Sequence, residues 1–374
     1  MCAYAQTLGG NMRAKRIIAL LLAGVLCVSA LTGCGGIDKS ATIATAGDTQ
    51  VSLGMVNFYC RLQQATYEDI YKMYLGSDDV WTMDPYGSGT NMQDSVKESA
   101  LEDLHEMYTL QAHMGDYGVS LTDDEKAAIT EAATSFMTGN SKEALDELGA
   151  TQEIVEEFLT LYTIRAKVED AIKAEADVNV SDEEANMRGY TRLVVSTSSG
   201  SEELTEEELA AKKELAEQIA SELAEEGATL ESVAEAHELK TSAQTYATYE
   251  SADDTEEAED DAVITALKGM QEGETSGMIE MDDGYYFVRV DNDTDAEATE
   301  DNRQSIITER QNEYYNETLE GWQADDGWEP DMELFAEIQF ENSLTTTDPN
   351  AVEETENAGM ADEEAPADVT ESAE

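Results

Sequence analysis

The sequence predicts an α+β chain, and three observations predict it. Apolar residues recur with helical spacing from Val51 to Ala176. Between Asp177 and Asp293 the pattern changes, and short β-branched and aromatic runs alternate with helices. Helical spacing then returns over Arg303–Trp322. No proline falls between Pro85 and Pro330, so long helices meet no interruption there. At 374 residues the chain has room for about two or three domains.

The first residues read as an export leader. Arg13, Lys15 and Arg16 form a basic flank, with Met12 directly before it as a candidate start, and Ile17–Ala30 is apolar and uncharged. A run of this length between a basic flank and small residues is a signal segment rather than a membrane span. Leu31-Thr32-Gly33-Cys34 follows, and it resembles the lipobox of bacterial lipoproteins. That resemblance implies cleavage before Cys34, transfer of a diacylglyceryl group to its sulfur, and attachment to the extracytoplasmic face of the cell membrane. Acyl chains anchor at about 0.8 kcal/mol per buried methylene, and two give stable attachment. Of the four cysteines, Cys2 and Cys27 leave with the leader and Cys34 is acylated. Only Cys60 then keeps a thiol, so no internal disulfide is expected. It lies in a helical stretch and reads as a small, partly buried side chain.

The chain carries 83 acidic and 21 basic residues, net −62. Losing the leader removes three basic residues and no acidic one. Such a balance opposes binding to nucleic acid and to anionic lipid headgroups, favours solubility, and attracts basic partners. Most of it reads as solvated helix faces.

Each element can be justified in turn. Thr42–Val51 alternates around Gly47-Asp48, a hairpin signal. Met55, Phe58, Tyr59 and Leu62 then share a helix face, and Gly76–Thr90 is a loop. Val96, Ala100, Leu104, Tyr108 and Gln111 stripe a second helix that ends near Gly115. Thr122-Asp123-Asp124-Glu125 is a capping box, opening a helix that packs through Ile129, Ala133 and Phe136. Another helix starts near Thr151 and uses Val155, Phe158, Tyr162 and Val168. After a linker at Asp177–Asp182, Tyr190–Ser196 reads as a strand. Thr205-Glu206-Glu207-Glu208 is a second capping box, whose helix runs through Leu215, Ile219 and Leu223 to a stop at Gly227. A short helix holds Leu230, Val233 and Ala234; Thr245–Tyr249 is a strand; Val263–Met270 is a short helix. Thr275–Met281 and Tyr285–Val290 are strands joined through Asp282-Asp283-Gly284. Ile307, Tyr314, Tyr315, Leu319 and Trp322 stripe the returning helix, and Trp328, Leu334, Phe335, Ile338 and Phe340 form a last amphipathic patch. From Glu341 onward the composition is acidic without a basic residue, too polar to offset its ordering entropy, so disorder is expected.

In order and spacing the middle segment resembles a parvulin-type peptidyl-prolyl isomerase domain. Tyr190–Thr197 matches its first strand. Leu223-Ala224-Glu225-Glu226-Gly227-Ala228 followed by Leu230-Glu231-Ser232-Val233-Ala234 matches its helix, glycine and short helix. Leu267–Ser276 resembles its Leu-x-x-Gly-Glu-x-Ser segment, and Asp283–Val290 its last strand. With the flanking helices and the lipobox, the chain resembles the exported foldases related to PrsA and SurA. The resemblance implies a mostly helical chaperone domain formed from both chain ends, with a small mixed sheet domain inserted. Its boundaries are a signal peptide at 1–33, a tether at 34–41, an N-terminal helical part at 42–176, the parvulin-like domain at 177–293, returning helices at 294–340 and the acidic tail at 341–374. It further implies a bacterial, Gram-positive source and unfolded or newly exported polypeptides as partners, with no cofactor and no nucleic acid.

Rotating an X–Pro bond needs no nucleophile. A catalyst needs an apolar cup for the proline ring and donors that favour the twisted amide. The family places one histidine in its first strand and one in its last. Here those positions hold Arg192 and Tyr286, the candidate catalytic donors. Val263, where the family has an aromatic, and Met270 are the candidate substrate-binding residues, and Cys34 is the lipidation site. The three histidines, His105, His113 and His237, lie elsewhere, and Ser251–Asp261 is acidic where the family is glycine-rich. No His/Cys spacing suits zinc. Asp291-Asn292-Asp293-Thr294-Asp295 is the one acidic run with any calcium-like character, and it reads first as a solvated linker. The replaced histidines leave two alternatives open: a holdase or docking module without isomerase activity, and an acidic scaffold.

Overall fold

A computed structural model describes residues 25–29, 37–198, 204–249 and 262–347. Cys34, Ser251–Asp261 and everything after Thr347 lie outside the described residues. Contacts divide the chain into two units, Met1–Glu175 with Tyr314–Glu374, and Ala176–Glu313.

The first unit begins with a short strand, β1 (Val25–Ser29), whose partner comes from the other end of the chain. The expected hairpin follows as β2 (Thr42–Ala46) and β3 (Thr49–Ser52), turning at Gly47 with φ 56°. Ser52 accepts the Met55 amide at 3.2 Å and starts α1 (Leu53–Leu75), which Gly76 ends in the left-handed region at φ 66°. α1 is buried over most of its first three turns. Phe58 meets Phe136 and Phe158 edge-on at 6.2 and 5.7 Å between ring centroids. Each such side chain contributes about 1.5–3 kcal/mol through burial. The loop after α1 carries a single turn at Val80–Thr82 that buries Val80 and Trp81, an anchor its glycines concealed. Then come α2 (Met92–His113), α3 (Asp123–Gly139) with the expected Thr122–Glu125 capping box, α4 (Lys142–Leu148) and α5 (Gln152–Lys173). α4 has no counterpart among the expected elements. It is short, and it is fixed by the Ser141 cap and by burial of Ala144 and Leu148.

The second unit opens with the one-turn α6 (Asp182–Ala185). The Ser181 amide and hydroxyl, with Arg310, hold the Glu184 carboxyl down to about 2. β4 (Met187–Ser196), α7 (Glu206–Leu223), α8 (Leu230–Ala236), β5 (Thr241–Ala247), α9 (Ala262–Lys268), β6 (Ile279–Met281) and β7 (Gly284–Asn292) follow in the expected order. β5 starts four residues earlier than Thr245, because its register is set by pairing with β4 from Leu193↔Thr241 to Met187↔Ala247. The sheet order is β5-β4-β7-β6, and every described pair is antiparallel. The α+β class holds, but the sheet is not mixed. Two successive helices between β4 and β5 return the chain to the end where β4 stopped, so β5 runs back along it.

α10 (Ala296–Gln323) spans the division between units. Its first half stays with the sheet unit rather than with the returning helices: Arg303 donates to the Val180 carbonyl and pairs with Asp182 at 2.8 Å, and Arg310 binds Glu184. Tyr315 and Leu319, in its last turns, pack with Leu110, Ile164, Val168 and Ile172 of the first unit. α11 (Met332–Phe335) and β8 (Ser343–Thr347) complete that unit. β8 falls where a disordered tail was expected. The correction has a local cause: Leu344 is fully buried, and its amide donates to the buried Glu68 carboxylate at 3.0 Å.

Candidate functional site

The pairing of β4 with β7 decides the site. Arg192 lies opposite Val288 and Val194 opposite Tyr286. Opposed residues of an antiparallel pair share a face, and so do residues two apart, so Arg192 and Tyr286 stand on one face as diagonal neighbours. The other face carries Leu193, Val195, Tyr285 and Phe287, covered by α7 and α8 through Ile219, Leu230 and Val233. His237 lies on that covered side and bonds Glu222 at 2.8 Å, so it takes no part in the Arg192–Tyr286 face.

An apolar wall adjoins the two polar residues. Tyr190, Tyr246, Val263, Leu267, Val288 and Val290 form one buried cluster, with Met270, Ile279, Met281 and Tyr286 packed against it. Tyr190 and Tyr246 meet edge-on at 6.0 Å. Val263 is therefore part of the wall's packing at 5% exposure, whereas Met270 lies at its margin. The Arg192 Nε donates to Ser242 Oγ at 3.1 Å, and the Tyr286 hydroxyl donates to Asp283 Oδ2 at 2.8 Å. Ser242 and Asp283 thus orient the two candidate donors.

Arg188 was not singled out in the sequence, yet it organises this face. It stands two residues before Tyr190, and its Nη1 and Nη2 donate to the carbonyls of Leu267 and Met270, both at 2.7 Å. Asp293 takes the same guanidinium at 2.6 Å. A cation thereby satisfies the carbonyls at the end of α9 and holds that helix against the sheet. The signal was available: Arg188 and Arg192 lie four apart on one strand, the same side of the pleat. The acidic run at 291–295 is divided among separate partners. Asp291 accepts from Thr191 at 2.6 Å, Asp293 pairs with Arg188, Thr294 bonds Asn186 at 2.7 Å, and Asp295 caps α10 through the Ala298 amide at 3.0 Å. Among the described residues no group of His, Cys, Asp or Glu is arranged to hold a metal ion.

Chemically, the face offers a guanidinium and a phenol beside an apolar wall, a set suited to binding an amide carbonyl near a hydrophobic ring. Residues 196–302 match the PPIC-type PPIASE domain model. This stretch of the chain is a PPIC-type domain. The match begins at the last residue of β4 and includes Val263, Met270 and Tyr286, with Arg192 just before it. No curated relative matches the sequence. Among solved structures, the chain is similar to the foldase PrsA of Lactococcus lactis at 15% identity, over 80% of this chain and 100% of that one, with a TM-score of 0.34. It is similar to PrsA of Streptococcus pneumoniae at 17% identity, over 68% and 97%, with a TM-score of 0.27. A SurA-like chaperone of Campylobacter jejuni gives 12% identity over 78% and 99%, with a TM-score of 0.26. At such scores the assignment rests on the PPIC match and on the strand pairing.

Proposed function

We propose that the chain is a membrane-anchored, extracytoplasmic foldase of Gram-positive type, with its PPIC-type domain acting on X–Pro bonds of unfolded, newly exported polypeptides. The observation that carries this reading is the β4–β7 register, which brings Arg192 and Tyr286 to one face beside the α9 wall. The barrier to rotation is about 18–20 kcal/mol, and planarity of the amide is its source. In the twisted state the carbonyl and nitrogen lose conjugation. The Arg192 guanidinium would stabilise the carbonyl oxygen, Tyr286 would fix its orientation, and Val263 with Met270 would take the proline ring. No bond to carbon, nitrogen or oxygen is made or broken.

Cys34 would carry the lipid, the segment 34–41 would act as tether, and the helical first unit, residues 42–175 with 314–340, would hold clients. A proline-containing tetrapeptide, followed with the full chain by exchange spectroscopy, tests the isomerase. Exchange at the uncatalysed rate, tens to hundreds of seconds, removes the enzyme from the reading. Acylation is tested by metabolic labelling, which Cys34→Ser should abolish. A second reading, a holdase without isomerase activity, is favoured by one observation: Arg192 and Tyr286 are already turned to Ser242 and Asp283. Suppression of client aggregation without catalysis would select it.

A further inference from the structure

β8 is held to α1 as a rail. Its Leu344 side chain is fully buried, the Leu344 amide donates to Glu68 at 3.0 Å, Lys72 donates to Ser343 Oγ at 3.1 Å, and just before the strand Gln64 donates to the Asn342 carbonyl at 2.8 Å. Backbone groups alternate along a strand. With Leu344 turned towards α1, the amides and carbonyls of Ser343 and Thr345 face the opposite edge. That edge is occupied by β1, antiparallel, from Val25↔Thr347 to Ser29↔Ser343, and β1 also lies against α4. Yet, on the lipoprotein reading, Val25–Ser29 belongs to the leader. Cleavage before Cys34 would take β1 away and leave the ladder of a fixed strand unpaired, which is a template for another strand.

We propose that the β1-facing edge of β8 is a strand-accepting site that opens when the leader is cut, and that it takes an extended, uncharged, aliphatic stretch of an unfolded polypeptide in the place of Val25–Ser29. The occupant's chemistry is read from the segment seated there, Val-Leu-Cys-Val-Ser, which has no charge and no proline. Main-chain bonds supply the binding, so many sequences qualify provided they are extended and free of proline where they pair. In the precursor the leader holds the site in cis, at the high effective concentration of a tethered ligand. The inference rests on the lipoprotein reading of Cys34 and is independent of whether Arg192 and Tyr286 catalyse.

The test uses a fluorescent peptide spanning Leu22–Leu31 with added terminal lysines, kept reduced, and two forms of the protein in detergent: the processed chain isolated from membranes, and full-length Cys34→Ser, which keeps its leader. Saturable binding is expected to the processed chain and at least tenfold weaker binding to Cys34→Ser. Replacing the Cys27 amide by an ester removes a donor that faces β8 and should weaken binding about tenfold, whereas an ester at Val28, which faces away, should cost about twofold or less. Equal affinity for both proteins, equal effects of the two esters, or no binding to the processed chain overturns the proposal. If intact mass shows that the wild-type chain keeps its leader, the proposal fails through the lipoprotein reading, and the ester series is not the cause. An absence of isomerase activity touches neither result.

Discussion

Replacing Glu68 should release β8 and destabilise the first unit. The carboxylate is 1% exposed and accepts from the Leu344 amide at 3.0 Å, Gln64 Nε2 at 2.8 Å and the Trp81 indole at 3.3 Å, beside Ser343 and Lys72. Burial alone would raise its pKa, but the Leu344, Lys72, Ser343 and Gln64 donors outweigh burial and hold it below the ordinary 4.5. In Glu68→Ala at least two buried neutral donors, the Leu344 amide and the indole, lose their acceptor, at about 1–3 kcal/mol each. With the loss of the charged partner of Lys72, the total should reach about 3–5 kcal/mol. Glu68→Gln keeps one acceptor oxygen and should cost about 1–2 kcal/mol. All three tryptophans, Trp81, Trp322 and Trp328, belong to the first unit, so their fluorescence during urea unfolding reports that unit alone. The pH dependence has a fixed sign. A carboxyl depressed on folding stabilises above its unfolded pKa, and that contribution is lost as pH falls through the lower folded value. Comparing wild type with Glu68→Gln cancels the background repulsion of an acidic chain. The gap between them should be constant above pH 4.5 and shrink below it. A Glu68→Ala change under about 0.5 kcal/mol would refute the reasoning.

Three other expectations follow from the same geometry. Arg188→Ala removes the donors to the Leu267 and Met270 carbonyls and should cost the sheet unit about 2–3 kcal/mol, followed by far-ultraviolet circular dichroism, with Arg188→Lys recovering less than half. If the isomerase reading holds, Arg192→Ala and Tyr286→Phe should each lower kcat/KM about tenfold, and values within twofold of wild type would reduce both to strand residues. Cys60 is fully buried and its thiol is pushed up to about 12 by burial, so a thiol reagent near neutral pH should label it only at the rate of unfolding; prompt native labelling would contradict its placement.

Local chemistry made much of this fold legible. Thr122-x-x-Glu125 and Thr205-x-x-Glu208 are both capping boxes in the structure, and the Asp282-Asp283-Gly284 turn joins β6 to β7. The two strands that carry Arg192 and Tyr286 were legible from their β-branched and aromatic runs, whereas the register that makes these residues diagonal neighbours on one face came only from the pairing. What stayed hidden depended on distant partners. β5 was misplaced because an edge strand reading Thr-Ser-Ala-Gln-Thr-Tyr-Ala buries only Tyr246 and shows little alternation. β8 was missed because one leucine in an acidic stretch carries no pattern; its anchor, Glu68, lies far back in the sequence. Arg188 shares a strand face with Arg192 but escaped notice because its partners, the Leu267 and Met270 carbonyls and the Asp293 carboxylate, lie far along the chain.

One row of polar side chains along α1 bears on the order in which the protein can mature. Arg61 donates to the Gln339 carbonyl, Gln64 to that of Asn342, and Glu68 receives the Leu344 amide. α1 is among the first segments to emerge during synthesis, while residues 339–344 are among the last of those described. Until they arrive, that helix must keep three hydrophilic groups hydrated that the finished interior shuts away. The first unit therefore closes only after nearly the whole polypeptide has been made, and a nascent chain stalled short of Gln339 would remain an open substrate for proteases.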